Sequence, residues 1–215
     1  MNVKYNLSLN DNPKMIRVGL TGGIGSGKTT ISKMFRELEV PVYIADDAGK
    51  ELMDTSAEIR HQIIRLLGEE SYQDNLPNRS FIASKVFQDK KLLEELNGII
   101  HPAVARHYEQ WLAKQSAVYI IYEAAILFEK GSHKNFDYTI LVTAPKETRI
   151  QRVLKRDHTS REQIEARMNN QWGDDKKKHL ADFIIKNKEI EDSRQQVIYI
   201  NEIILKSAKN SSYLC

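Results

Sequence analysis

The chain has a single cysteine among its 215 residues, Cys215 at the last position, so no disulfide can close within it and no multi-cysteine metal site can form. That usage suits a reducing compartment. No apolar run approaches the ~20 residues that cross a bilayer, and the stretch Met1–Lys14 is polar, without the apolar segment of a secretory signal. A soluble, cytoplasmic protein is expected, without a membrane partner. An excess of one charge is missing as well: 32 basic against 29 acidic residues leave +3, with the signs interspersed. Such a balance offers no footprint for nucleic acid, while a modest basic excess suits a phosphorylated small molecule. Internal repeats and low-complexity segments are absent. A hydrophobic content of 41% over this length can bury one substantial core and is too little chain for two ordinary independent domains.

What is present begins with Gly22 to Thr29, G-G-I-G-S-G-K-T, which has the form G-x-x-x-x-G-K-[ST]. An apolar strand pattern, Met15, Ile16, Val18 and Leu20, precedes it, and Ile31, Met34, Phe35 and Leu38 follow at helical spacing. Strand, glycine loop and helix in that order bind nucleotide phosphates. Glycines permit positive φ and close approach of backbone N–H groups to an anion at the helix start. Lys28 then reaches the β- and γ-phosphates of ATP, and the Thr29 hydroxyl reaches Mg2+.

Further β-rich runs at Val40 to Ala45, Val118 to Tyr122, Tyr138 to Thr143 and Phe183 to Ile185, with helical patterns between, predict a parallel sheet covered by helices on both faces. Ligands of open sheets bind beyond the carboxyl ends of the strands, which gives priority to Asp46, Glu123 and the segment after Thr143. Between the second and third strands the pattern is helical throughout and reads as an inserted subdomain. Thr55 with Glu58 forms a capping-box pattern, Gly68 a stop, and Pro102 the first turn of a new helix carrying Val104, Tyr108, Trp111 and Leu112. After the fourth strand, Arg149, Arg152 and Arg156 share one helix face, either as a solubility stripe or as charges converging on a ligand. Capping-box patterns at Thr159 to Gln163 open another helix, and the two helices joined by Arg156, Asp157 and His158 read as a lid. Asp174 to Lys178 reads as a solvated face. A last helix uses Ile190, Val197, Ile200 and Ile204, and the chain from Lys206 is expected to fray.

Phosphate loops serve GTPases, motor ATPases and small-molecule kinases. The guanine signature N-K-x-D fails, because Asn187-Lys188 is followed by Glu189-Ile190, and the chain has no room for motor machinery. A helical insertion for an acceptor and an arginine-bearing lid are the parts of a phosphoryl-transfer kinase.

Four separated motifs from about Ile16 to Leu205 resemble the dephospho-coenzyme A kinase family. They are T-G-G-I-G-S-G-K-T from Thr21, with Thr30 following; Ala45-Asp46, similar to the family's D-A-D; Leu96 through His101-Pro102, similar to I-x-H-P; and Ala125-Ile126-Leu127-Phe128-Glu129, similar to P-L-L-F-E. The lid pattern Arg152 to Asp157, Gln171 and Ile185-Lys186-Asn187 follow in order. Ile44 and Ala125 depart from the family pattern without removing a group assigned to chemistry.

The resemblance implies an α/β, three-layer P-loop kinase fold with a five-stranded parallel sheet, a helical acceptor-binding insertion and a helical lid. The implied division is 15–48, 117–147 and 181–207 for the nucleotide-binding core, 49–116 for the insertion, 148–180 for the lid, and flexible tails at 1–14 and 208–215. It implies phosphorylation by ATP, with Mg2+, of the ribose 3′-hydroxyl of dephospho-coenzyme A. Asp46 would be the base, with Asp47 beside it as the alternative from position alone, and Lys28 and Arg156 would act on the transferring phosphoryl group. Gly23, Ile24, Gly25, Ser26, Gly27, Lys28, Thr29, Thr30 and Arg152 would hold the nucleotide, Thr29 the metal, and His101 and Glu129 the acceptor. A monomer or weak homo-oligomer is expected. A kinase of another small acceptor (nucleoside, nucleoside monophosphate or shikimate) and a nucleotide-dependent switch remain the alternatives.

Overall fold

In the structure, a computed structural model, residues 15–157 and 159–211 are described. The expectations for 1–14, for His158 and for 212–215 lie outside them. In chain order the elements are β1 (Ile16–Gly22), α1 (Lys28–Glu37), β2 (Val42–Ile44), α2 (Ala45–Thr55), α3 (Ala57–Leu67), β3 (Tyr72–Gln73), β4 (Leu76–Pro77), α4 (Arg79–Gln88) and α5 (Lys90–Leu112). Then follow β5 (Tyr119–Glu123), β6 (Tyr138–Thr143), α6 (Lys146–Arg156), α7 (Arg161–Asn169), α8 (Asp174–Lys178), β7 (Phe183–Lys186) and α9 (Ile190–Ser211). The chain divides into two compact units, one made from the residues up to Val42 and from Ala117 onward, the other Tyr43–Ser116.

The first unit is built on a five-stranded sheet of order β2-β5-β1-β6-β7. β1 is central and pairs in parallel with β5, Val18 opposite Ile121, and with β6, Leu20 opposite Ile140. Because Val18, Leu20, Ile120, Ile121, Ile140 and Leu141 are all fully buried, both sheet faces are covered, which is why these strands read as unbroken apolar runs. Helix α1 contributes Ile31 and Phe35 to that cover and α9 contributes Val197, Ile200 and Ile204. Ile150, Val153 and Ile164 join α6 to α7 in a cluster of their own. Two expectations for α9 change. Ile190 is 58% exposed and stands outside the core, and the helix continues past Lys206 to Ser211, so 208–211 are helical rather than a tail.

The second unit has a core of Met53, Ile59, Ile63, Ile82, Val86, Leu96 and Ala103, drawn from α2 to α5. Its pattern is not helical throughout: β3 and β4 pair as an antiparallel hairpin, with Asp74 and Asn75 at φ 50° and 65° making the turn. Two-residue strands leave no periodicity to detect. Thr55 is not the cap of α3. It ends α2, with its hydroxyl on Glu51 O, and Ser56 caps α3 by accepting from Ile59 N. Pro102 does not open a helix but lies inside α5. Burial of Leu96 before it and of Ala103, Val104, Tyr108 and Leu112 after it holds the helix continuous across the missing N–H. Among the described residues no helix is long and apolar enough to cross a membrane.

Candidate active site

The loop from β1 to α1 is closed by its own backbone, Ser26 N donating to Gly23 O at 3.0 Å and Thr30 N to Gly27 O at 3.0 Å. Gly27, at φ 92°, is the N-cap of α1, and no side chain caps the helix. That leaves the positive end of α1 for an anionic ligand. Gly25 has φ 76°, and a Cβ there would lie 2.4 Å from Arg149 O; one on Gly27 would lie 2.1 Å from Asn187 Nδ2. The protein's own packing therefore demands these glycines as well. Lys28 Nζ donates to Gly22 O at 3.1 Å, and Thr29 stands exposed in the first turn of α1.

Two of the three arginines on α6 turn to this loop. Arg149, only 12% exposed, donates from Nε to Ile24 O at 2.8 Å and faces Asp174 at 3.4 Å. Arg152 donates to Asn187 O at 3.0 Å and reaches Ser26 O at 3.4 Å. Arg156 does not approach the loop; its exposed guanidinium is paired with Asp157 at 2.7 Å, a hydrogen bond that raises the arginine's pKa and lowers the carboxyl's.

Two more side chains fasten the same loop. Gln171 Oε1 accepts from Ile24 N at 2.9 Å, and Asn187 Nδ2 donates to Ser26 O at 2.8 Å while its Oδ1 accepts from Ser193 Oγ at 3.0 Å. Sequence motifs mark Gln171 and Asn187 without giving either a task, and Arg149 carries no signal beyond its helix face. Glu123, 4% exposed at the end of β5, accepts from Ser32 Oγ at 2.9 Å.

The segment 174–178 is a solvated face only in part: Asp175, Lys176 and Lys178 are exposed. Lys177 is fully buried, with Nζ 2.7 Å from Glu129 Oε1 in a contact that is Coulombic rather than an aligned hydrogen bond. The same oxygen accepts from Trp172 N at 3.2 Å, and Glu129 Oε2 is buried without a hydrogen-bond partner. Two Asp residues followed by three Lys mark a charged helix but not which one turns inward.

In the second unit, Asp46 and Asp47 both lie exposed in the first turn of α2, directly after β2. Asp47 is paired with Lys50 at 2.9 Å, whereas Asp46 has no partner among the described residues and is not the helix cap, a position held by Ile44. His101 is exposed in the middle of α5. Tyr43 donates its hydroxyl to Val104 O at 3.2 Å and packs on Tyr108 and Trp111, so these rings are packing residues. No group of three or more His, Cys, Asp or Glu with metal-binding geometry occurs among the described residues.

Residues 16–192 match the family model described as dephospho-CoA kinase. A dephospho-CoA kinase of Bacteroides fragilis is 37% identical over 93% of this chain and 97% of its own length. One of Porphyromonas gingivalis is 38% identical over 73% of this chain and 78% of its own length. Among solved structures, a Thermus thermophilus protein superposes with a TM-score of 0.81 at 29% identity, covering 88% of this chain and 97% of that one. A dephospho-CoA kinase from Campylobacter jejuni gives 0.59 at 25% identity over 87% and 96%.

Proposed function

The chain belongs to the dephospho-CoA kinase family, and on that premise we propose that it moves the γ-phosphoryl group of ATP to the ribose 3′-hydroxyl of dephospho-CoA, giving CoA and ADP. The observation that carries the nucleotide half is the loop at the uncapped start of α1, held in its turn by four side chains from later in the chain. Lys28 leaves Gly22 O for the β- and γ-phosphates, a short swing for a flexible ammonium. Asp46 orients the acceptor hydroxyl and takes its proton as the new O–P bond forms and the bond from the γ-phosphorus to the β-γ bridging oxygen breaks, releasing ADP. Its lack of a partner among the described residues, against the Lys50 pairing of Asp47, favours it as the base.

Arg152 balances charge from beside the loop, and Arg156 would leave Asp157 for the transferring group when the helices α6 and α7 close. The Thr29 hydroxyl, exposed in the first turn, suits Mg2+, which usually takes one or two protein ligands and fills its shell from phosphates and water. When bound, that ion supplies charge neutralisation at the phosphates. Residues 49–116 select the acceptor, with His101 on that side, while 148–180 serve as the lid. We place the enzyme in the cytoplasm as a monomer or weak homo-oligomer.

A coupled ADP-release assay with Mg-ATP and dephospho-CoA, adenosine, AMP, shikimate or no acceptor tests this. Turnover with dephospho-CoA alone is expected. Turnover with another acceptor would discard the substrate and keep the kinase, and slow acceptor-independent hydrolysis would favour a switch.

A further inference from the structure

We propose that Glu129 and Lys177 form a buried clasp that sets the geometry of the phosphate loop through the peptide groups of Ile24, making both of them positioning residues for nucleotide binding. The inference rests on the loop being the nucleotide site. A buried ammonium and carboxylate lose their hydration, and an apolar pair of similar volume often does as well for stability, so the contribution of this pair is sought in what it holds in place. Here it holds one short segment at two points. Glu129 Oε1 receives both the Lys177 ammonium and the Trp172 backbone N–H.

Residues beside and within that span reach the two polar groups of Ile24. Gln171, next to Trp172, accepts from Ile24 N at 2.9 Å. Asp174 faces Arg149, whose Nε donates to Ile24 O at 2.8 Å. Both polar groups of Ile24 are therefore held by side chains tied to the segment that Glu129 fixes at Trp172 and Lys177. Ile24 directly precedes Gly25, the first residue of the loop with positive φ, so fixing Ile24 constrains the turn that presents N–H groups to phosphate. Releasing the clasp frees the loop to sample other turns, and binding then bears the cost of ordering it.

The test measures ADP binding to the whole chain by calorimetry, beside steady-state kinetics. Lys177→Met is expected to weaken ADP binding, and raise the KM for ATP, by about five- to tenfold, the scale of one lost hydrogen bond, with a much smaller change in kcat at saturation. Gln171→Leu should give a similar loss, and the double variant Gln171→Leu/Lys177→Met no more than either alone, because both act through Ile24. Should Lys177→Met not fold, Glu129→Leu/Lys177→Met removes both charges and is read in the same way. A folded variant with wild-type ADP affinity, or losses that simply add, would overturn the clasp. ADP binding does not depend on the acceptor: failure of dephospho-CoA as substrate with normal ADP binding sinks only the substrate, whereas a native chain that binds no ADP sinks the clasp too.

Discussion

Asp46 and Asp47 are neighbours of identical chemistry, and only their surroundings separate them: Lys50 pairs with Asp47, and Asp46 has no partner among the described residues. Asp46→Asn is expected to lower kcat by about 10²–10⁴-fold, the usual worth of a general base, with Asp47→Asn close to native; equal losses in the two would remove the distinction. Lys28 is legible from the loop motif alone. Its replacement by Ala should cost about 10²–10³-fold in kcat, the scale of one lost transition-state donor, in a variant that still folds by thermal denaturation. The arginines were partly legible. Their shared face follows from helical spacing, but that Arg149 and Arg152 meet the loop while Arg156 meets Asp157 depends on where α6 is docked.

At the scale of elements, the strands and long helices follow from patterns of local sequence, and their ends follow from single side chains. Ser56, not Thr55, caps α3, so Ser56→Ala should destabilise by about 1 kcal/mol and Thr55→Ala by much less in denaturant titration; the reverse order would restore Thr55 as the cap. Between α6 and α7, Arg161 grips Glu147 with two hydrogen bonds of 3.1 and 2.7 Å. That contact first, and Gln151 second, hold the Glu147 carboxyl down at about 2 from its ordinary 4.5. A value depressed by folding means the contribution is present above about 4.5 and is lost as the pH falls towards about 2. In Arg161→Gln the Glu147 titration, followed by carboxyl NMR, should move up towards 4.5; a midpoint still near 2 would assign the depression elsewhere.

For the whole molecule, the central sheet of the first unit is one main source of stability, since β1 and β6 contribute side chains with no exposure at all. Ile140→Ala, on β6 opposite Leu20, should cost about 2–5 kcal/mol for a buried cavity, whereas Ile190→Ala, at 58% exposure, should be nearly neutral. A native-like midpoint for Ile140→Ala would place the core elsewhere.

The sequence by itself determined the phosphate loop and the five sheet strands, because each is written in contiguous residues whose spacing matches a backbone period or a ligand's shape, and the family, because its separated motifs keep their order. Only the tertiary structure decided that Lys177 turns inward to Glu129, that Pro102 is carried within a continuous helix, and that Gln171 holds Ile24 across 147 residues of chain. Local pattern specifies which face of a helix is apolar. It does not specify which distant partner a polar side chain meets, since that is set by how the elements pack.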